Sequence, residues 1–196
     1  MHWKLLIVAL VVLQALEKSN MKYLLTGAQG TGKTSIMDAL PSSYNKIQCV
    51  TRKCITENNL RFNNDSDNHS QKCIFDAYER QLTSLDNYIA ERSLIDVYAY
   101  TLHQVKNGKC SPTLAETQLS HIQKFIHNNP DAVYFYVPIE FEIQQDGIRS
   151  IDKQFQQEID KQIRSTLIHE GCHFFTVTGT VEERVKFIEY VVNKTK

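Results

Sequence analysis

The sequence predicts an α/β fold, a five-stranded parallel sheet with helices on both faces. Two observations predict it. Short apolar and β-branched runs alternate with helical patterns along the chain, as in successive β-α units around one sheet. Flexibility is also concentrated at one strand-to-helix corner. In YLLTGAQGTGKTSIMDAL, Tyr23 to Leu40, three of the chain's seven glycines fall within six residues.

The elements follow in order. Lys22 to Thr26 reads as a short buried strand, and Ser35 to Leu40 as a helix that Pro41 stops. Lys46 to Val50 (KIQCV) is a candidate second strand. Asn58 to Ser70 is rich in Asn and reads as a surface loop. Gln71 to Leu85 carries Ile74, Ala77, Tyr78, Leu82 and Leu85 at helical spacing. Tyr88 to Ala90 is a short strand running into Glu91. Leu94 to Lys106 and Leu114 to Asn128 read as helices. Ala132 to Val137 (AVYFYV) is the most strand-like run and should lie at or near the centre of the sheet. Phe155 to Glu170 reads as a helix and Phe174 to Val177 as the last strand. Thr180 to Asn193 closes the chain as a helix, opened by Thr180 and Glu183 as a capping box. In such a sheet ligands bind outside the carboxyl ends of the strands.

Gly27, Gly32, Lys33 and Thr34 fit G-x-x-x-x-G-K-[ST], the phosphate-binding P-loop, so the α/β sheet is read as a P-loop NTPase fold. The chemistry explains the residue types. A loop that wraps phosphate with backbone N–H groups must keep side chains out of the way. The helix beginning near Lys33 turns its positive end toward the phosphate. Lys33 supplies an ammonium for the β- and γ-phosphates, and the Thr34 hydroxyl can ligate Mg²⁺. The nucleotide-binding set is therefore Gly27, Ala28, Gln29, Gly30, Thr31, Gly32, Lys33, Thr34 and Ser35, with ATP and Mg²⁺ as cofactors. The ordinary reading is a glycine-rich turn, but the pattern arises by chance in only about one chain in a hundred of this size.

Composition narrows the partners. Hydrophobic residues make up 42% of the 196-residue chain and charged residues 22%, ordinary values for a globular protein. Lys plus Arg equals Asp plus Glu at 22 each. This gives no broad basic footprint, so duplex nucleic acid is not an expected partner. The five cysteines are scattered without a C-x-x-C pair, which reads as free thiols in a reducing cytoplasm.

The first twenty residues, MHWKLLIVALVVLQALEKSN, stand apart. The run Leu5 to Leu13 is too short to cross a bilayer comfortably and lacks a clean small-x-small cleavage site. A dispensable leader or a mis-assigned start ranks first, with Met21 as the working start of one domain over residues 21–196. A membrane-associating helix, with contact over residues 3–16, ranks second, and a secretion signal third.

A second constellation is AERSLIDVYAY. Glu91, Arg92 and Ser93 follow directly on a strand. A carboxylate there can reach the metal across from the P-loop, directly or through water, so Thr34 and Glu91 are the candidate metal ligands. The adjacent arginine can clamp a phosphate. The ordinary alternative is a surface Glu-Arg pair with Ser93 capping the next helix.

GAQGTGKT followed by a strand ending in ERS resembles the P-loop nucleoside and nucleotide kinases. Deoxyribonucleoside kinases carry E-R-S at the same place. There the Glu serves the metal, and the Arg serves the acceptor's 5′ end and the phosphoryl group. By that resemblance Glu91 and Arg92 take these roles. With RSLIDVYAY, DGIRS and GTVEERV included, the chain is also similar to a looser group of P-loop ATPase and kinase domains. That group includes the ribosylnicotinamide kinase domain of bacterial NAD-biosynthesis regulators and phage-encoded small kinases. The likeness runs from about Lys22 to Val192.

The resemblance implies two further pieces. The segment after the fourth strand, residues 139–153, is expected to be a short lid that brings Arg149 to the γ-phosphate. Lys161 and Arg164 read better as a solvated helix face. The loop at Gly179 and Thr180 is expected to border the adenine edge, with Glu182, Glu183 and Arg184 as an ordinary charged helix start. Lys33, Glu91, Arg92 and Arg149 are thus the candidate catalytic residues. Arg52 could face the acceptor, and Glu57 and Asp65 are the candidates for a separate base.

The sequence has no N-K-x-D base-reading motif, which argues against a GTPase switch. The strand ending in Glu-Arg, in place of a long Walker B strand, argues against a motor ATPase. The expected function is an ATP- and Mg-dependent kinase acting on a nucleoside, a nucleoside monophosphate or a related ribosyl compound. The alternatives are a P-loop ATPase or nucleotide-binding module without an acceptor, and a 5′-hydroxyl polynucleotide kinase.

Overall fold

A computed structural model describes residues 21–62, 65–141 and 152–195. The leader and Arg149 lie outside the described residues. The elements, in chain order, are β1 (Lys22–Thr26), α1 (Lys33–Ala39), β2 (Lys46–Ile47), α2 (Val50–Asn58), α3 (Asn68–Ser84) and β3 (Tyr88–Ala90). They continue with α4 (Leu94–Lys106), α5 (Pro112–Asn128), β4 (Val133–Tyr136), α6 (Lys153–His169), β5 (Phe174–Thr176) and α7 (Val181–Thr195).

The sheet has five strands in the order β2-β3-β1-β4-β5, and every pairing is parallel. Its register sets the site. Leu24 stands opposite Ala90 and Thr26 opposite Tyr136, so β1, β3 and β4 end at nearly one level. Alternation along the strands builds two cores. Leu24, Tyr88, Ala90, Tyr134 and Tyr136 pack with residues of α3, α4, α5 and α6. Tyr23, Leu25, Ile89, Val133 and Phe135 pack with residues of α1 and α7. Both faces of each central strand are buried, which explains their continuous apolar reading.

Three expectations need correction. The second strand stops at Ile47 rather than Val50. Cys49 turns into the left-handed region (φ 64°) and gives its N–H to Glu91 Oε2 at 3.1 Å, so the chain leaves the ladder and starts α2. That helix was not expected from the sequence at all. The loop expected to reach Ser70 ends earlier, because the Asp67 side chain caps α3 by accepting from Ser70 N–H at 2.9 Å. Pro112 sits inside α5 as its first residue, where the ring needs no N–H partner, with Ser111 as cap. The capping box at Thr180 is present: Thr180 N–H donates to Glu183 Oε2 at 2.8 Å and Glu183 N–H to Thr180 Oγ1 at 3.3 Å. Among the described residues no helix is long and apolar enough to cross a membrane.

Candidate functional site

The loop between β1 and α1 has room only for backbone at two points. A Cβ on Gly27 would lie 2.3 Å from the carbonyl oxygen of Val137, which follows β4. Gly32 caps α1 at φ 89°, a conformation that penalises side chains. Thr31 and Lys33 are buried within the loop, while Ser35 faces outward on the first turn of α1. The Lys33 ammonium donates to the carbonyls of Gly27 and Ala28, both at 2.6 Å, and to Thr31 Oγ1 at 3.3 Å. The cation is thus held at the mouth of the loop.

Thr34 and Glu91 meet directly. The Thr34 hydroxyl donates to Glu91 Oε1 at 2.5 Å. Burial alone would raise the Glu91 pKa, but the Thr34 hydroxyl, Arg92, the Cys49 N–H and Lys33 together hold it below the ordinary carboxylate value. Glu91 is therefore an anion beside a hydroxyl at the foot of the P-loop. This donor pair suits a hard cation that also takes oxygens from phosphate and water. Among the described residues no cluster of three or more His, Cys, Asp or Glu could hold a metal alone.

The turn after β3 is built by Asp96, which the sequence reading left without a role. Asp96 is fully buried. Its carboxylate accepts from Thr26 Oγ1 at 2.7 Å, Gly27 N–H at 3.1 Å, Ser93 N–H at 2.9 Å and Ser93 Oγ at 2.7 Å. With Ser93 it forms the capping box of α4. One carboxylate thereby locks the start of the P-loop to the E-R-S turn. Ser93 thus caps α4 while its neighbours Glu91 and Arg92 line a cavity.

Arg92 lies 3.9 Å from Asp96 Oδ1. Burial would lower its pKa, but Tyr100, Tyr78, Asp96 and Glu91 raise it on balance, so the guanidinium stays charged. It lines a cavity with Glu91, Arg52, Tyr78, Tyr100 and Gln29. Ile55, Phe62, Ile74 and Val97 supply apolar wall. Tyr100 donates to Gln29 Oε1 at 2.7 Å, so this P-loop side chain turns toward the cavity. Burial pushes the Tyr78 phenol up to about 12. Ile74 and Tyr78 come from α3, a wall that no motif signalled. Of Arg52, Glu57 and Asp65, only Arg52 lines this cavity. Glu57 pairs with Lys53 on the surface of α2, and Asp65 with Lys109.

The other flank corrects the reading of Arg184. It is 1% exposed rather than part of a solvated helix start. Its guanidinium donates to Gly179 O at 2.8 Å and Thr31 O at 2.8 Å, and pairs with Glu140. Phe141 lies over it, with the ring centroid 5.5 Å away. Glu140 also accepts from Gly179 N–H at 3.0 Å. Arg184 therefore ties the P-loop to the β5–α7 loop that carries Gly179 and Thr180. Lys161 and Arg164 are exposed on α6, as expected. Asp160 on the same helix was not anticipated. It accepts from the Tyr136 hydroxyl at 2.8 Å, and burial raises its pKa while Lys33 and Arg164 oppose the rise.

Comparisons with known proteins agree with this fold. Among curated proteins none matches the sequence. Solved structures of similar fold include deoxyadenosine kinase from M. mycoides with the products dCMP and a flexible dCDP bound. It is 16% identical with a TM-score of 0.61, over 90% of this chain and 100% of that one. The same enzyme with bound dATP aligns at 15% identity and a TM-score of 0.61, over 88% and 99% of the two chains. The NadR protein in complex with NR aligns at 16% identity and a TM-score of 0.66, over 89% of this chain and 51% of that chain. A family model described as "AAA domain" matches residues 22–184. The chain therefore belongs to this AAA domain family, on the P-loop fold shared with nucleoside kinases.

Proposed function

We propose that the protein is a cytoplasmic, ATP- and Mg²⁺-dependent kinase that transfers the γ-phosphoryl group to a small molecule, a nucleoside, a nucleoside monophosphate or a related ribosyl compound. One observation carries the reading. Arg92 lines one walled cavity together with the metal-suited Thr34–Glu91 pair. A pure ATPase needs to admit only water and has no use for an apolar cavity beside its arginine.

In this reading the P-loop and Lys33 bind the β- and γ-phosphates of ATP. Thr34 Oγ1 and Glu91 would hold Mg²⁺, which when bound would neutralise phosphate charge. Arg92 orients the acceptor and meets charge that develops in transfer. Arg149, from the segment after β4, is assigned to the γ-phosphate. Gly179 and Thr180 border the adenine, and Arg184 holds that border against the P-loop.

The test is γ-labelled ATP with Mg²⁺ against nucleosides, nucleoside monophosphates, nicotinamide riboside and a 5′-hydroxyl oligonucleotide. Free phosphate is followed in parallel. Label on one small acceptor is the expected result. Label on the oligonucleotide would make the protein a polynucleotide kinase, and label only in free phosphate would make it an ATPase.

A further inference from the structure

One face of α4 is turned toward the P-loop. Asp96 and Tyr100 stand four residues apart, so they share a side of the helix. Asp96 holds the start of the P-loop by accepting from Thr26 Oγ1 and Gly27 N–H. One turn later Tyr100 holds the loop again, by donating to Gln29 Oε1. The Gln29 carbonyl in turn accepts from Gln156 Nε2 of α6 at 2.7 Å. Thr26, Gln29, Asp96 and Gln156 are all buried.

The same face holds the E-R-S turn. Asp96 Oδ2 accepts from Ser93 N–H, and Oδ1 lies 3.9 Å from Arg92 Nη1. Tyr100 lines the cavity with Arg92. The arginine and the P-loop are therefore both referred to one carboxylate and one phenol on a single helix.

A helix cap needs less than this. A capping box uses one side-chain oxygen for the N–H of the cap residue. Asp96 Oδ2 already serves it. Oδ1 is turned instead to Gly27 N–H and Arg92. Burying a carboxylate is costly unless donors satisfy it, and here part of the donor set comes from the P-loop side. Groups fixed before a reaction need no reorganisation during it. A misplacement of about 1 Å can lower a rate about a hundredfold.

We propose that Asp96 is a positioning residue of the transfer site, with Tyr100 as its second point of hold. The pair keeps the P-loop and Arg92 in one register and acts on the transfer step rather than on affinity for ATP. Neither residue is assigned a contact with the phosphoryl group. This rests on the kinase reading and deepens it. Asp96→Asn keeps the shape and one oxygen. Whichever way the new amide turns, its NH₂ meets a donor, Gly27 N–H on one side or Ser93 N–H on the other, and the register slips.

The test uses the full chain, Mg²⁺, γ-labelled ATP and the acceptor that the parent protein labels. The parent, Asp96→Asn and Tyr100→Phe are compared for kcat, for KM toward ATP and for melting temperature, with rates taken below each melting transition. We expect kcat to fall about a hundredfold in Asp96→Asn and about tenfold in Tyr100→Phe, while KM for ATP moves less than about threefold. A loss of stability alone would leave kcat of the folded fraction unchanged. A folded Asp96→Asn protein with the parent's kcat would therefore overturn the proposal and leave the kinase reading standing. So would a rise in KM for ATP with kcat intact. Failure of Asp96→Asn to fold makes Tyr100→Phe the deciding variant, and the parent's kcat there would overturn the proposal. No transfer by the parent to any acceptor would overturn both readings.

Discussion

Thr34 and Glu91 lie 57 positions apart in sequence and share a 2.5 Å hydrogen bond at the foot of the P-loop. Each was legible as a candidate, because a P-loop threonine and a carboxylate at a strand end have few other joint uses, and the fold brings the two together. Asp96 was not legible. Four donors from two loops converge on it, and nothing local in LIDVY announces the two from Thr26 and Gly27. Gln29 looked like one more P-loop position, but Tyr100 turns its side chain toward the cavity. The Glu91 carboxyl is held below its ordinary value in the folded chain. Its contribution to stability is therefore complete above the unfolded glutamate value, and is lost as pH falls through the lower folded one. Glu91→Gln should flatten that part of the acid limb. Urea midpoints of both proteins from about pH 7 down to about pH 3 measure it. Parallel acid limbs would contradict the electrostatics described here. The same substitution should weaken the response of transfer to Mg²⁺.

The helices and strands were read correctly wherever an apolar period ran long enough. β3, α4 and β4 fall within a residue of their expected bounds. Misreadings came where one long-range contact decides the backbone. KIQCV has the look of a strand, but the Cys49 N–H goes to Glu91 and the chain bends away. The helix start VEER has the look of a solvated face. Arg184 is nonetheless drawn inward by Thr31, 153 positions away, and by Glu140, 44 positions away. Breaking a buried charged contact by removing one partner costs about 3–5 kcal/mol. Arg184→Ala should therefore lower the melting temperature by on the order of 10 °C. It should also weaken ATP binding, because the P-loop and the Gly179 loop lose their tie. Thermal unfolding with and without ATP tests both effects. A variant that melts like the parent would show that Arg184 is not a structural clamp.

At the scale of the molecule, the parallel order β2-β3-β1-β4-β5 brings every loop of the site to one edge of the sheet. The P-loop follows β1, Cys49 follows β2, Glu91 and Arg92 follow β3, Glu140 follows β4 and Gly179 follows β5. Position in the fold was readable because four of the five strands end in a segment singled out in the sequence. The cavity was not, because its walls come from α2, α3 and α4, with no spacing rule to betray them. The described fold begins with Met21, whose N–H donates to Asn87 Oδ1 at 3.1 Å beside the β1–β3 pair. Removing residues 1–20 should leave a folded protein with the same turnover, and loss of either would show that the leader packs on the domain. The central claim is that Lys33, Thr34, Glu91 and Arg92 form one phosphoryl-transfer site. The rate of γ-label transfer to the acceptor by the parent protein and by Lys33→Ala tests it most directly. The account predicts transfer by the parent and a fall of at least about a hundredfold in a variant that still melts cooperatively. Transfer that survives the substitution would contradict it.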